Sequence, residues 1–414
     1  MKRVVITGVG VVSPIATGVR NYWDALKEGR NGVGEITLFD PSDYDVRIAA
    51  EVKDFKPEDW MDRKEARRAD RVIQFAVAAA DLAVQDASLD FSQEDPYRVG
   101  VYIGSGEGGI STNYEGIKVL LQKGPSRVSP FCVPMMLSNM PAAYVAMRYK
   151  AKGPNICVVT ACATATHTMG EAFHAIRRGE ADIIMAGGSE AAITPVAVAG
   201  FSAMKAFSTR NDDPARASRP FDIDRDGFVM GEGAGILIFE ELEHALKRGA
   251  KIYAEVKGFG SNCDAYHITA PDPEAITPAR AMSQAVEMAG WKKEEVELIN
   301  AHGTSTPLND KMETQAIVNA FGDHAKNILV NSTKSMIGHC LGAAGALELI
   351  AALQSIVEGI VHPTVNCVNI DPACSAVNVV AHGAPLEKSV DKLLVNSFGF
   401  GGHNAVLAVE GYKG

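Results

Sequence analysis

The chain lacks the paired cysteine motifs of disulfide frameworks and zinc sites. Its seven cysteines are an odd number, and none of them shows C-x-x-C spacing. Both kinds of site need cysteines at repeated, close spacings, so the sequence predicts neither. Free thiols suit a reducing compartment, and we expect a cytoplasmic protein with no metal site.

Long apolar runs and an excess of positive charge are also scarce. We find no apolar run that approaches the roughly 18 residues of a membrane span. The chain leads from Met1 to Ile6 straight into a strand-like run, without a cleavage site. A net charge of -10 argues against general affinity for nucleic acid. We therefore expect no membrane and no nucleic-acid partner.

Strand-like and helical runs alternate through the chain, which is the pattern of an α/β protein with buried sheets. A length of 414 residues predicts two domains or one duplicated body. The order strand, turn, helix occurs around Cys162 and again from residue 328 to residue 356. We expect two similar halves, residues 1–250 and 251–414, whose equivalent turns meet at one site.

Cys162 lies at the turn that the rest of the sequence is organised around. The apolar residues 156–160 predict a buried strand, and the helix that follows carries Met169, Phe173 and Ile176 on one face. A thiol here lies at the positive end of the helix dipole, which favours the thiolate. Cys162 is therefore a candidate nucleophile. The alternative is a small buried residue in a tight turn.

Two glycine-rich turns imitate a dinucleotide-binding fingerprint. The turn at Gly8 and Gly10 lacks the third glycine, whereas residues 104–109 fit G-x-G-x-x-G after a strand. The helix start after residue 109 is obscure, and no acidic ribose partner is evident about 20 residues later. The residues therefore argue against nicotinamide binding.

Two histidines and a lysine form a second group of candidates. His302 follows an apolar strand, at the end where parallel sheets place ligands; the alternative is a histidine that only caps the strand. His339 precedes a helix whose N-terminus lowers the pKa of an imidazole, so we expect it to be a neutral hydrogen-bond donor. Lys334 needs solvent or a carboxylate, and Glu348 is the nearest candidate.

A glycine-rich turn at residues 396–404 interrupts two late strands. Its glycines let backbone N–H groups approach a substrate oxygen closely. As a plain hairpin loop the turn would be ordinary, but Phe398 and Phe400 are unfavourable there unless they pack on something. The turn is a candidate oxyanion site.

Four segments together resemble the signatures of the β-ketoacyl-[acyl-carrier-protein] synthases: residues 159–164, 302–307, 334–339 and 397–402. The resemblance is closest to the type II synthases of bacterial fatty acid synthesis and covers the chain nearly end to end. It implies a thiolase-type α/β fold, with two similar halves in a five-layer α-β-α-β-α sandwich. It also implies a homodimer that needs no cofactor.

The implied activity is that of a condensing acyltransferase. Malonyl carrier protein would lose carbon dioxide and attack an acyl thioester on Cys162, giving 3-oxoacyl-[acyl-carrier-protein] in fatty acid elongation. The N–H groups of Cys162 and Phe400 would form an oxyanion hole, and Phe400 would act as a gate. Thr304, Thr306 and Phe398 would contact the substrate.

The resemblance assigns the remaining catalytic roles to the histidines and the lysine. His302 and His339 would hold the malonyl thioester oxygen as neutral donors and so stabilise the enolate. Lys334 would order His339, together with Glu348.

Exposed basic residues match positions at which this family meets the acidic acyl carrier protein. For Lys64, Arg67 and Arg68, the alternative is a solvated helix end without a partner. The positions are Lys64, Arg67, Arg68, Arg127 and Lys205.

Glu107 departs from the family pattern. Fatty-acid members usually carry an apolar residue at this place in the acyl pocket. A carboxylate there disfavours a long alkyl tail unless it is paired or turned away. The departure leaves room for a polyketide-type ketosynthase with a specialised pocket.

Other activities are weighed on the same residues. A degradative thiolase needs a second catalytic cysteine in the late glycine turn, and residues 398–404 contain none. For a cysteine hydrolase, no residue that would orient His302 towards Cys162 is obvious. A non-catalytic partner subunit should lack the nucleophile. The presence of Cys162, His302, Lys334 and His339 favours the condensing enzyme.

Overall fold

The structure is a computed structural model that describes residues 1–381 and 383–414. In this part of the chain an eleven-stranded sheet and two small two-stranded sheets are surrounded by helices. The strands are β1 (Val4–Val12), β2 (Val33–Glu35), β3 (Ile48–Ala50), β4 (Val99–Gly104), β5 (Asn155–Ile156), β6 (Ile183–Glu190), β7 (Gly233–Glu241), β8 (Ala254–Cys263), β9 (Leu298–Asn300), β10 (Leu329–Asn331), β11 (Ile360–Val361), β12 (Asn378–Val379), β13 (Leu386–Glu387), β14 (Lys392–Gly399) and β15 (His403–Gly411). The α-helices are α1 (Val19–Lys27), α2 (Arg63–Ala66), α3 (Arg71–Asp86), α4 (Ile110–Lys123), α5 (Cys132–Met136), α6 (Met140–Tyr149), α7 (Thr164–Arg177), α8 (Pro195–Ala203), α9 (Leu242–Lys247), α10 (Ile276–Ala289), α11 (Pro307–Phe321), α12 (Lys334–Ile337) and α13 (Ala344–Glu358).

The large sheet has the order β12-β10-β9-β14-β15-β8-β1-β7-β6-β4-β5. Its two halves meet where β1 pairs with β8, and this contact involves only residues 4–6 of β1. On each side of that junction two antiparallel pairings lead to parallel strands, β6, β4 and β5 in one half and β14, β9 and β10 in the other. The order of elements is therefore duplicated about the junction.

Helices cover and separate the two halves of the sheet. Helices α7 and α13 pack against each other and against the sheet, α7 on β6 and α13 on both β7 and β14. On the outer faces, α3 packs on β1 and β7, and α10 packs on β8 and β15. This is the predicted five-layer α-β-α-β-α arrangement. The predicted division after residue 250 lies between α9 and β8 and stays a prediction.

The strand predicted at residues 156–160 was wrong in length and burial. Strand β5 comprises only Asn155–Ile156, and Ile156 and Val159 are 43% and 51% exposed. Strand β5 lies at the edge of the sheet, and among residues 1–381 and 383–414 only β4 pairs with it, which leaves its other side uncovered. The helix after Cys162 is confirmed, with Met169, Phe173 and Ile176 buried.

One segment is long and apolar enough to span a membrane, although the sequence predicted no such segment. Leu341–Glu358 has the length and mean hydropathy, 1.4, of a membrane-spanning helix, but 83% of it is buried in the protein. Its apolar surface is explained by its place between the two halves of the sheet.

All seven cysteines are free thiols in the structure. Among residues 1–381 and 383–414, no cluster of three or more His, Cys, Asp or Glu side chains is placed to hold a metal ion.

Candidate active site

A cavity of 370 Å³ lies where the two halves of the chain meet. Its wall combines turns from β14, from the start of α7 and from the segments after β9 and β10. The predicted site residues that line it are Cys162, His302, Thr304, Thr306, His339, Phe398 and Phe400, together with the docking residue Lys205. Seven predicted catalytic, gate and substrate-binding residues therefore surround a single cavity.

Cys162 lies in a short 3-10 turn, Ala161–Ala163, that runs directly into α7. Ala161 adopts a φ of 50°, a conformation that is unfavourable for a residue with a side chain and that sharpens the turn. Burial raises the pKa of the Cys162 thiol to about 12 and outweighs the nearby Lys334 charge, which lowers it. Burial therefore opposes the thiolate that a helix start is expected to favour.

Backbone N–H groups converge on the sulfur of Cys162. Those of Cys162 and Phe400 both contact it and favour its charged form. The approach of the Phe400 segment depends on Gly399, where an added Cβ would lie 2.7 Å from the carbonyl oxygen of Thr160 and 3.2 Å from the nitrogen of Cys162. This pair of N–H groups can hold a developing oxyanion beside the sulfur.

His302 is held by two neighbouring groups. The carboxylate of Glu313 accepts hydrogen bonds from the backbone N–H groups of His302, at 2.9 Å, and Gly303, at 2.8 Å. The Nζ of Lys334 donates to Nδ1 of His302 at 3.3 Å, which places the imidazole proton on Nε2. Burial, together with the charge of Lys334, lowers the pKa of His302 well below its ordinary value, so the ring is neutral.

His339, like His302, accepts a hydrogen bond at Nδ1 and carries its proton on Nε2, but the donor is a backbone N–H. Its Nδ1 accepts a hydrogen bond from the N–H of Leu341 at 3.2 Å, so the proton lies on Nε2. That Nε2 is buried and has no partner in the described part of the chain. Burial and Lys334 lower its pKa well below the ordinary value, as the sequence predicted for a neutral donor. The two imidazole rings lie 5.3 Å apart, centroid to centroid.

Lys334 is fully buried and forms an ion pair with Glu348, as expected from the sequence. The imidazole that it contacts is His302, whereas the sequence analysis expected it to order His339. It influences His339 through its charge, which helps to lower the pKa of that ring. Burial is the main reason that both histidines are neutral, and the charge of Lys334 adds to it.

Thr304 and Thr306 flank a strained turn at the cavity wall. Their hydroxyl groups lie 2.9 Å apart, and Ser305 between them has a φ of 69°. Asp310, which sequence reasoning did not single out, accepts from the N–H of Ser305 at 3.2 Å and helps to fix the turn. The cavity thus has two adjacent hydroxyl groups in a rigid arrangement.

The two phenylalanines of the late glycine turn pack on other aromatic side chains, which explains why they are tolerated there. Phe398 contacts His302 in an edge-to-face arrangement, with centroids 5.8 Å apart. Phe400 lies 6.2 Å from Phe201 of α8. Phe400 is partly exposed, so it is placed to move more easily than Phe398, which is buried.

Glu107 does not line the cavity described above. It is an exposed residue, yet crowding by protein atoms raises the pKa of its carboxyl, and that carboxyl has no hydrogen-bond partner among the described residues. Its backbone N–H donates to Glu190 at 3.1 Å. The carboxyl is therefore neither paired nor fully solvated.

The predicted docking residues are exposed and form no ion pair within residues 1–381 and 383–414. Arg68 lies over the ring of Phe131, with its guanidinium carbon 4.4 Å from the centroid. Lys205 lies at the cavity itself. The full set comprises Lys64, Arg67, Arg68, Arg127 and Lys205.

Two buried carboxyl groups of the site, those of Glu313 and Glu190, were not identified as functional from sequence. The carboxylate of Glu313 accepts hydrogen bonds from the backbone N–H of His302 and, at 3.0 Å, from the side-chain amide of Asn396. The carboxylate of Glu190 accepts hydrogen bonds from backbone N–H groups of the turn at residues 105–107. Burial raises the pKa of both carboxyls to about 7. The only sequence signal for Glu190 was its position at the end of an apolar strand, and Glu313 lies on a helix with no distinctive spacing.

The G-x-G-x-x-G turn is occupied by the protein itself. It does lead into a helix, α4, which starts at Ile110. The N–H groups of Gly106 and Glu107, which could cradle a phosphate, donate instead to the carboxylate of Glu190. This arrangement agrees with the expectation that the turn does not bind a dinucleotide.

Known proteins resemble the whole chain. The model of the β-ketoacyl synthase N-terminal domain matches residues 1–245, and that of the C-terminal domain matches residues 253–368. A Synechocystis protein named 3-oxoacyl-[acyl-carrier-protein] synthase 2 is 52% identical over 412 residues, which is 100% of this chain and 99% of the relative. The Staphylococcus aureus protein of the same name is 50% identical with the same coverage.

Solved structures are similar as well. The ishigamide ketosynthase/chain length factor superposes with a TM-score of 0.93 at 38% identity, over 100% of both chains. A type II polyketide ketosynthase, AntDE, solved in complex with its acyl carrier protein AntF, superposes with a TM-score of 0.91 at 34% identity, also over 100% of both chains. With its thiolase-type fold and these full-length matches, the chain belongs to the β-ketoacyl synthase family.

Proposed function

We propose that the chain catalyses the decarboxylative condensation of malonyl-[acyl-carrier-protein] with an acyl chain held on Cys162, giving 3-oxoacyl-[acyl-carrier-protein] in fatty acid elongation. The observation that carries the proposal is one cavity that combines a buried thiol with two neutral imidazole donors. The names of the full-length relatives support the same reaction.

The first half-reaction loads the enzyme. The Sγ of Cys162 attacks the carbonyl carbon of the acyl thioester on the carrier arm, and the developing oxyanion accepts from the N–H groups of Cys162 and Phe400. A C–S bond to Cys162 forms, the C–S bond to the arm breaks, and the thiol proton leaves with the arm.

The second half-reaction makes the new carbon–carbon bond. The bond between the malonyl carbon and its carboxylate breaks, carbon dioxide leaves, and the electron pair forms an enolate whose oxygen accepts from Nε2 of His302 and His339. The enolate carbon attacks the thioester on Cys162, the C–S bond breaks, and the released thiolate takes up a proton. Neutral donors suit this step, because a protonated imidazole would hold the malonyl carboxylate as an ion pair and oppose its loss.

A direct assay tests the proposal. The purified chain is mixed with acyl and malonyl carrier proteins, and mass spectrometry follows the acyl group on the peptide that contains Cys162 and the 3-oxoacyl product. We expect both species, and we expect neither with Cys162→Ala. A product that forms without an acylated Cys162 would contradict the assigned nucleophile.

The acyl carrier protein is the proposed donor of both substrates. Five exposed basic residues without ion-pair partners suit an acidic protein, and one of them, Lys205, lies at the cavity. We expect Arg67→Glu and Lys205→Glu each to raise the KM for the carrier substrate about tenfold, with kcat unchanged. The matched control is Lys247→Glu, an exposed lysine on α9. Equal effects of all three variants would exclude a specific docking surface.

A homodimer is proposed from the free edge of the sheet. The outer side of β5 is unpaired, and apolar side chains are exposed around it. A twofold contact through this edge would continue the sheet and cover them. The exposed apolar residues are Val133, Leu137, Ile156 and Val159.

Light scattering on Ile156→Glu tests this interface. We expect a dimer for the native chain and monomers for this variant, whereas Leu246→Glu, which changes an exposed leucine on α9, stays dimeric. A native chain that is monomeric at micromolar concentration would overturn the proposal.

A polyketide-type ketosynthase with a specialised pocket is the second candidate function. It is favoured by the two ketosynthases among the similar structures, whereas Glu107 lies outside the cavity described above. Activity with carrier-bound acyl chains of graded length separates the two functions. Full activity with saturated chains beyond about ten carbons would mean that Glu107 does not limit the pocket, because an unpaired carboxyl disfavours an alkyl neighbour.

A cytoplasmic location is also proposed, since the seven free cysteines suit a reducing compartment. Fractionation of cells that express the chain tests this location.

A further inference from the structure

Glu190 is a buried carboxylate to which the proposed reaction gives no role. It is the last residue of β6, fully buried, and it forms no ion pair in the part of the chain that the structure describes. Four donors surround its carboxylate: Ser105 Oγ at 2.8 Å, Gly106 N at 2.8 Å, Glu107 N at 3.1 Å and Gly342 N at 2.9 Å. We call this arrangement the Glu190 cradle.

The cradle joins the two halves of the chain. Three of its donors belong to the turn after β4, on the side of Cys162, and the fourth belongs to the turn between His339 and α13. The approach is close enough that a Cβ at Gly106 would lie 2.8 Å from Oε2 of Glu190, and a Cβ at Gly342 would lie 2.6 Å from it. The carboxylate therefore fixes two turns that are remote in sequence against each other.

The turn after His339 is strained and needs such support. Leu341 has a φ of 43°, which is unfavourable for a leucine and persists only where neighbouring contacts enforce it. In this conformation its N–H reaches Nδ1 of His339, at 3.2 Å. The N–H of the next residue, Gly342, donates a hydrogen bond to the carboxylate of Glu190.

We propose that Glu190 is a positioning residue: by holding Gly342 it keeps the strained Leu341 turn in place, so that the Leu341 N–H binds Nδ1 of His339 and the proton of that ring stays on Nε2, facing the substrate. Glu190 acts through His339 and does not touch the substrate. The inference rests on the proposed function in one respect, namely that His339 donates to the malonyl thioester.

Titration of the cradle gives the proposal a pH signature. Burial raises the pKa of Glu190 to about 7, so protonation below that pH removes one acceptor of the cradle. The other titratable groups that the Glu190 charge affects are the thiols of Cys157, Cys162 and Cys340. Burial is the main reason that their pKa values are raised, the Glu190 charge adds to it, and the three thiols stay neutral in this range.

The decisive measurement is a double-mutant cycle on decarboxylation of malonyl carrier protein. Glu190→Gln keeps the shape but presents an amide NH₂ to N–H donors. We expect kcat to fall about 10-fold and KM to stay within about twofold of the wild-type value. This loss is smaller than the roughly 10²- to 10³-fold loss of kcat that removal of a complete hydrogen-bond donor causes. In a His339→Ala background the same change should have no further effect, whereas in a His302→Ala background it should keep its full effect.

Two further comparisons complete the test. The wild-type rate should fall on the acid side of about pH 7, and this limb should be smaller in Glu190→Gln but unchanged in Glu107→Gln. Glu313, whose pKa is also about 7 and which holds the His302 backbone, accounts for the part of the limb that remains. Glu240→Gln, which changes another buried carboxylate on the neighbouring strand β7, is the control and should leave the rate and its pH profile unchanged.

Several outcomes overturn the proposal. They are an undiminished rate in folded Glu190→Gln, a loss that adds fully to that of His339→Ala, or an acid limb that disappears with Glu107→Gln instead. If Glu190→Gln does not fold, Ser105→Ala removes a single cradle donor and should lower kcat about two- to threefold, again only when His339 is present. A wild-type chain without decarboxylase activity would refute the proposed function itself, which is a separate result.

Discussion

The two halves of the protein contain the same turn, used in two different ways. A 3-10 turn leads into α7 at Ala161–Ala163 and into α13 at Leu341–Ala343. The first residue of each turn has a positive φ, 50° at Ala161 and 43° at Leu341. Both turns direct a backbone N–H towards the space where the halves meet. The duplicated fold thus makes two sites that favour negative charge.

The difference lies in the second residue of each turn. In the first turn it is Cys162, whose N–H contacts its own sulfur together with that of Phe400. In the second it is Gly342, whose N–H is taken by the carboxylate of Glu190. The N–H at the first turn is open to the cavity, which suits the proposed oxyanion, whereas the N–H at the second turn is already bound by Glu190. We refer to them as the reactive turn and the supporting turn.

The first prediction removes the proposed nucleophile, Cys162, from the turn Ala161–Ala163. We expect Cys162→Ala to abolish condensation, because no thioester can form, and to keep release of carbon dioxide from malonyl carrier protein, because the histidine donors remain. Radiolabelled carbon dioxide and the 3-oxoacyl product are measured in parallel. Loss of both activities in a folded variant would contradict the separation of roles.

Removing a donor should have the opposite result for decarboxylation. We expect His302→Ala to lower decarboxylation about 10²- to 10³-fold, because one of two preorganised donors to the enolate oxygen is lost. Transfer of the acyl group to Cys162 should fall much less, and mass spectrometry of the acylated peptide checks this. Decarboxylation at the wild-type rate would refute the role of His302.

Adding one methyl group to the supporting turn should break it. In Gly342→Ala the Cβ would lie 2.5 Å from the nitrogen of Gly106 and 2.6 Å from Oε2 of Glu190. We expect a loss of about 3 kcal/mol in the free energy of unfolding, the upper part of the range for overpacking. Gly200→Ala is the control: an added Cβ in helix α8 meets nothing within 4 Å and should be neutral or slightly stabilising. Equal stability of both variants would show that the turn has room to relax.

The histidine beside the supporting turn should make stability depend on pH. His302 and His339 have pKa values lowered below 6.5, so the unfolded chain binds protons that the native chain excludes. Their contribution to the free energy of unfolding is complete above about pH 6.5. It decreases as the pH falls, by about 1.4 kcal/mol per histidine at pH 5.5. Glu190 and Glu313, with raised pKa values, act in the opposite direction.

A comparison of variants isolates the histidine effect. The drop in unfolding free energy between pH 7.5 and pH 5.5, measured with urea, should be smaller in His339→Ala than in the native chain by about 1.4 kcal/mol. The two glutamates are the same in both proteins and cancel. Identical drops would mean that His339 titrates normally in the folded state.

Local features of the active site were predictable from sequence. The helix after Cys162 follows from periodicity, and the pair of Lys334 with Glu348 follows from charge in an apolar segment. A neutral His339 was expected from a helix start, but burial and the charge of Lys334 are what lower its pKa. Strand β5 was mispredicted because apolar residues at an unpaired sheet edge have the same pattern as a buried strand. The direction of Lys334 towards His302 could not be read from spacing along the chain.

By itself, the sequence determined the alternation of strands and helices and the helix that follows Cys162, since these depend on residues near one another in the chain. Only the tertiary structure decided which groups share a dry cavity and therefore which state each one adopts. Cys162 shows the difference: its place at a helix start suggested a thiolate, whereas burial between the two halves raises its pKa to about 12. Glu190 shows it again, because its four donors come from turns that lie about 85 and 150 residues away along the chain and meet only when the halves pack together.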